Sequence, residues 1–124
     1  MPSYDQPYTL NDTDKETVLA LCYEAMKQLG WHILFAGDYI LGASSPRDWG
    51  SKGQQIVCMV QGDLLIMRSE MVNGEMIDIG GKNKKNTDML MSAYEAAKMS
   101  TGTAGIEANK KEIRLLRQQT ILSG

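Results

Sequence analysis

The chain has 124 residues, of which 43% are hydrophobic and 23% charged, a balance close to that of an ordinary soluble globular domain and unlike a disordered or fibrous one. The formal net charge is −2, unevenly spread: residues 1–81 hold five Lys and Arg against eleven Asp and Glu (−6), and residues 82–124 hold eight against four (+4). The length suits one domain, the longest purely apolar run (Ile56 to Val60) is far too short to cross a bilayer, and the acidic start MPSYDQPYTLND lacks the apolar core of a secretory signal.

In chain order, Thr13 and Glu16 form a capping-box pattern, and Val18, Leu19, Cys22, Ala25, Met26 and Leu29 then recur at helical spacing. This predicts an amphipathic first helix that stops at Gly30, where a left-handed residue costs no Cβ clash. WHILFA (31–36) and YILGAS (39–44) predict a hairpin across Gly37-Asp38, and QQIVCMV (54–60) and LLIMRS (64–69) a second across Gly62-Asp63. Between them SPRDWGSKG predicts a loop, and Asn73-Gly74 adds a turn after which EMIDI can form a short fifth strand. Every connection is too short for a parallel crossover, so the sheet should be antiparallel.

A second helix is expected to begin between Asn83 and Asn86 and to end at Lys98, with Met89, Leu90, Ala93, Tyr94 and Ala97 inward. STGTAG then reads as a flexible hinge, and residues 107–119 as a helix with a thin apolar seam (Ile113, Leu116) and a basic stripe (Lys110, Arg114, Arg117). The expected architecture is α+β, αββββα: a helix, a four- to five-stranded antiparallel sheet and a second helix, both helices on one face. Residues 1–99 form the domain, and 100–124 a hinge and mobile basic helical tail outside the core.

Candidate chemistry is sparse. Gly81-Lys82 could supply the G-K of a phosphate-binding loop, but Met76 stands where the first Gly belongs and Asn83 where Ser or Thr belongs. His32, the sole histidine, lies in a strand between Trp31 and Ile33 and is expected on the face away from them, with no flanking nucleophile motif; no catalytic residue is assigned. Cys22 and Cys58 read as buried reduced thiols, and no metal or cofactor site is expected. Met26, Met59, Met67, Met89 and Met91 fit the core pattern, whereas Met71 and Met76, flanking the Asn73-Gly74 turn, are candidates for exposure.

What remains is the basic turn: Asp78, Gly80, Gly81, Lys82, Asn83, Lys84, Lys85 and Asn86 could hold an anion at a helix start. Asp78 is expected to cap rather than to act as a base. Nucleic acid is not expected as a partner, because the rest of the domain is acidic and no stacking aromatics accompany the lysines.

The order L-G-W (29–31), I-x-G-A (40–43), I-V-C-M-V, I-M-R-S (66–69) and D-I-G-G-K-N-K-K-N (78–86) resembles the soluble N-terminal domain of certain bacterial rhomboid-family intramembrane serine proteases, and is similar to a small bacterial α+β domain of unknown function. The likeness covers about residues 8–98. It departs in having two glycines before the Lys, Thr87 where an aliphatic residue is usual, and Gln54-Gln55 where an acidic pair is common. The resemblance implies a non-catalytic accessory domain on the cytoplasmic face of the inner membrane, beside a membrane-embedded region of the same polypeptide. The G-x-S-G of rhomboids has no counterpart, since Gly42-Ala43-Ser44-Ser45 is G-x-S-S. On that reading Lys82 to Asn86 join Lys110, Lys111, Arg114 and Arg117 in one surface for the membrane or a protein partner. The alternative is a free-standing binder of small anionic metabolites that uses the Asp78 to Asn86 turn.

Overall fold

The computed structural model describes residues 3–11, 13–46, 53–71 and 81–123, with side chains to residue 119. The elements are β1 (Ser3–Thr9), α1 (Lys15–Gln28), β2 (His32–Ala36), β3 (Ile40–Ser44), β4 (Gln54–Gln61), β5 (Leu64–Met71), α2 (Lys82–Ser100) and α3 (Thr103–Ser123). All five strands are antiparallel, in the order β1-β5-β4-β3-β2.

The first helix starts one residue later than the capping-box reading places it. Asp14 is the N-cap, its carboxylate accepting from the Thr17 amide at 3.0 Å and the Thr17 hydroxyl at 2.7 Å. Asp wins because an ionised acceptor at this end also faces the positive end of the helix dipole. The helix ends as expected, Gly30 taking φ 74°. Both hairpins form, the tighter one with Gln61 opposite Leu64 and Gly62 at φ 61°.

The fifth strand is β1, which runs beside β5 from Ser3 opposite Glu70 to Thr9 opposite Leu64. The EMIDI segment expected in that role lies outside the described residues. The strand signal in SYDQPYT is weak because Pro7 interrupts it and polar residues dominate; a proline is tolerated at a sheet edge, where one ladder of hydrogen bonds is absent anyway.

Alternation sorts the sheet into two faces. One, formed by Leu41, Ala43, Ile56, Cys58, Val60, Leu65 and Met67, joins Val18, Cys22 and Met26 of α1 and Leu90, Tyr94 and Ala97 of α2 in a single core. Both helices therefore lie on one face, α1 against β2, β3 and β4 and α2 against β5, β1 and β4. Tyr94 is 1% exposed and meets the Tyr8 ring edge-on, 5.4 Å between centroids. Cys22 and Cys58 are free and buried. Burial, with Cys58 alongside, pushes the Cys22 thiol well above its usual range, so it stays protonated and inert.

The C-terminal helix departs from expectation. It is separated from α2 by Thr101 and Gly102 alone, rather than by a six-residue hinge, and it packs against α1 and β2 instead of standing apart as a mobile tail. Two residues explain the docking. Ile113 is 6% exposed within the core cluster, and Asn109, 3% exposed, donates to the Ala20 carbonyl at 3.1 Å and to Glu24 Oε1 at 3.0 Å while accepting from Lys27 Nζ at 3.5 Å. A buried asparagine bonded this fully acts as a contact, although the sequence presents it as polar surface.

Among the methionines, Met26 and Met67 are fully buried and Met91 lies against the core. Met89 is 44% exposed, contrary to expectation, because the α2 stripe runs through Leu90 instead. Met71 is 1% exposed, not surface, since its β5 position places it on the core side; Met76 lies outside the described residues. No described helix is long and apolar enough to cross a membrane.

Candidate functional site

Two surfaces could carry function: the start of α2 and the sheet face opposite the helices.

At the start of α2, Gly81 is the N-cap in the left-handed region (φ 66°, ψ 39°), a conformation that favours glycine, which has no side chain of its own to cap the first turn. From here the eight-residue candidate set divides. Asp78 and Gly80 lie outside the described residues. Asn83 and Asn86 are 1% and 5% exposed and point into the domain, not toward a ligand. Asn83 Oδ1 accepts from Ser69 Oγ at 2.9 Å; Asn86 Nδ2 donates to Gln54 Oε1 at 2.8 Å and to Ser69 Oγ at 3.3 Å. Gln54 Oε1 also accepts from Ser45 Oγ at 2.9 Å. The two asparagines are therefore mainly structural, fastening the first turn of α2 to β4 and β5 through a buried polar network.

Lys84 and Lys85 are exposed, and Lys82 is partly buried. Lys84 pairs with Asp88 one turn on (2.8 Å), which holds its ammonium above the usual lysine range. Lys82 and Lys85, with Asn86, Gln54, Ser45, Pro46, Trp31 and Met89, line a cleft of about 260 Å³. Two cations beside a helix start and an apolar wall suit a small anion carrying an apolar group.

The second basic cluster is not continuous with the first. Arg117 bonds Asp38 at 3.1 Å, at the tip of the β2–β3 hairpin, whereas the α2 cleft sits by Trp31 and Ser45 at the opposite end of those strands. Five strand residues separate the two ends by roughly 17 Å. Lys110 pairs with Glu107 at 3.4 Å, and Lys110, Arg114 and Arg117 share with Glu16 and Asp38 a crevice of about 20 Å³, where the acids offset their charge. Lys111 is exposed on α3. The expected single basic surface is thus two separate patches, one largely neutralised.

The sheet face opposite the helices is the feature missed from the sequence. Cross-strand register aligns Pro7, Ile66, Met59 and Ile40 in one row, and Arg68, Val57, Gly42 and Phe35 in the next. The Phe35 ring occupies the space a Gly42 side chain would need, which flattens this part of the face. Arg68 forms a bidentate pair with Asp5 (2.6 and 2.9 Å) that keeps the Asp5 carboxyl below its usual range. The alternation in QQIVCMVQ and LLIMRSEM could have shown this face, because Val57, Met59, Leu64 and Ile66 occupy the positions that a solvated strand would give to polar residues.

His32 is exposed, as its strand position implies. No group of three or more His, Cys, Asp or Glu able to hold a metal ion occurs among the described residues. No protein-family model matches the chain, and no curated protein matches it significantly.

Proposed function

We propose that this chain is a non-catalytic interaction module whose contact surface is the face of the sheet opposite its helices. The observation that supports this reading is the apolar row Pro7, Ile66, Met59 and Ile40 across that face, with the Phe35 ring beside it. Ile40, Met59 and Ile66 are partly exposed there, and α1 and α2 pack on the other side. A sheet face meant only for water normally alternates to polar residues, and an apolar patch of this extent marks a contact site. The resemblance to the soluble head of rhomboid-type proteases adds a setting: the cytoplasmic side of a membrane, next to a membrane-embedded region of the same polypeptide. That setting rests on the D-I-G-G-K-N-K-K-N segment, and sequencing the coding DNA past the Gly124 codon tests it. Apolar stretches of about 20 residues, one carrying G-x-S-G, would support it; a stop codon would remove it. A role at the membrane surface itself has less support, because the two basic patches are separate and Arg117 is already paired.

The module reading is tested with a photoactivatable phenylalanine analogue placed at Met59 or at Ile66, and in a control at exposed Glu95 on α2. A discrete covalent adduct from position 59 and none from 95 is expected in cells. Absence of any adduct from both 59 and 66 would overturn the reading.

A second reading, an anion-binding protein, is favoured by the cleft beside Lys82 and Lys85. Titration with inorganic phosphate and phosphorylated metabolites should then shift the amide signals of residues 81–86 saturably. No shift across a broad panel removes it.

A further inference from the structure

We infer that the partner on the open sheet face is a second copy of this chain, packed sheet to sheet. The inference rests on the reading of that face as a contact surface and goes further by naming its occupant.

Charge is the first argument. The described charged groups on the face are Asp5, Arg68 and Glu70, and Asp5 and Arg68 close on each other. The face is left nearly neutral. It offers nothing to steer a strongly basic or acidic partner, and two copies of it meet with little repulsion. Glu70 lies in an outer row with Ser3, Gln55, Ser44 and His32, the polar rim expected around an apolar centre.

Shape and size are the second. Five strands about 4.8 Å apart, and four rows of same-face residues about 6.6 Å apart, give a footprint of roughly 500 Å². With half-exposed Leu34 at one margin, two copies would bury roughly 1,000 Å² in total, the lower end for a specific interface and in keeping with micromolar association. The Phe35 ring fills the gap beside Gly42 and levels this part of the face, which suits a second sheet about 10 Å away. The edges are less suited to association: Pro7 interrupts β1, and the register of β2 shifts between Ile33 and Phe35.

The test is sedimentation velocity and equilibrium of the intact chain over a wide concentration range. The wild type should pass from one chain mass to two at micromolar concentrations. Met59→Arg and Ile66→Lys, each checked for an unchanged circular dichroism spectrum, should weaken association at least tenfold, and Glu95→Arg should leave it unchanged. A wild type that stays monomeric throughout overturns the inference, as does a dimer indifferent to both folded face variants. If Met59→Arg fails to fold, Ile66→Lys and the wild-type series still decide. The photo-crosslink separates the two levels: an adduct with a different macromolecule removes the second copy but keeps the contact face, whereas no adduct from positions 59 and 66 together with a monomeric wild type removes both.

Discussion

Asn86 and Lys85 are adjacent in the most distinctive segment of the chain, yet their replacement by alanine should have opposite consequences. Asn86→Ala removes two buried hydrogen bonds, to Gln54 at 2.8 Å and Ser69 at 3.3 Å. Each neutral bond contributes about 0.5–1.5 kcal/mol net. Both acceptors keep another partner, Ser45 for Gln54 and Asn83 for Ser69, so the full penalty of an orphaned buried group does not apply. The loss should be about 1–3 kcal/mol. Lys85 is exposed and makes no ion pair among the described residues, and Lys85→Ala should stay within about 0.5 kcal/mol of wild type. Urea unfolding followed by tryptophan fluorescence measures both. With an m-value of about 1.5 kcal/mol/M, Asn86→Ala should lower the midpoint by about 1 M with little change in slope. If the two variants unfold together, the network is not what fastens α2.

Asn109→Ala should release α3 selectively: about 1–3 kcal/mol is lost, and amide exchange should accelerate along α3 while the central strands stay protected. Equal acceleration everywhere would show that α3 is not a separable unit. Glu24, whose carboxyl is held below its ordinary value chiefly by the Asn109 amide, contributes stability above about pH 4.5 that is lost as pH falls through its lower folded value. In Asn109→Ala that acid-side loss should flatten, which a pH series of unfolding midpoints checks; an unchanged slope would contradict the assignment. Gly42→Ala sets a methyl group into the Phe35 ring, and should cost about 1–3 kcal/mol and shift the Phe35 ring resonances. A neutral effect would mean that the ring has room to move.

The hairpins were legible because their turn dipeptides are chemically specific: Gly37-Asp38 and Gly62-Asp63 leave few alternatives. β1 was not, since its partner is some sixty residues away and its own residues carry little β signal. The docking of α3 was hidden for another reason: its central contact is an asparagine, and apolar periodicity cannot score a polar residue that is satisfied inside. The same blindness affected the candidate site. Asn83, Asn86 and Thr87 continue the inward stripe of Leu90, Tyr94 and Ala97 back by about two turns, at helical spacing, but the polarity of the two asparagines made them read as ligand-binding surface. Extending the stripe by position, regardless of residue type, would have found them.

The pairing of Ser3 with Glu70 has a consequence for how the chain is made. β2 to β5 are joined by short connections and can pair as they emerge, but β1 is synthesised before them all and has no partner until β5 exists. At ribosomal rates of about 5–20 residues per second, that wait is roughly 3–12 s. During it β1 has no strand beside it and Tyr94, which meets Tyr8, has not yet been made. The strand that emerges first is thus the last to find its place in the sheet, and a pause in translation between β4 and β5 prolongs the interval in which it stands unpaired.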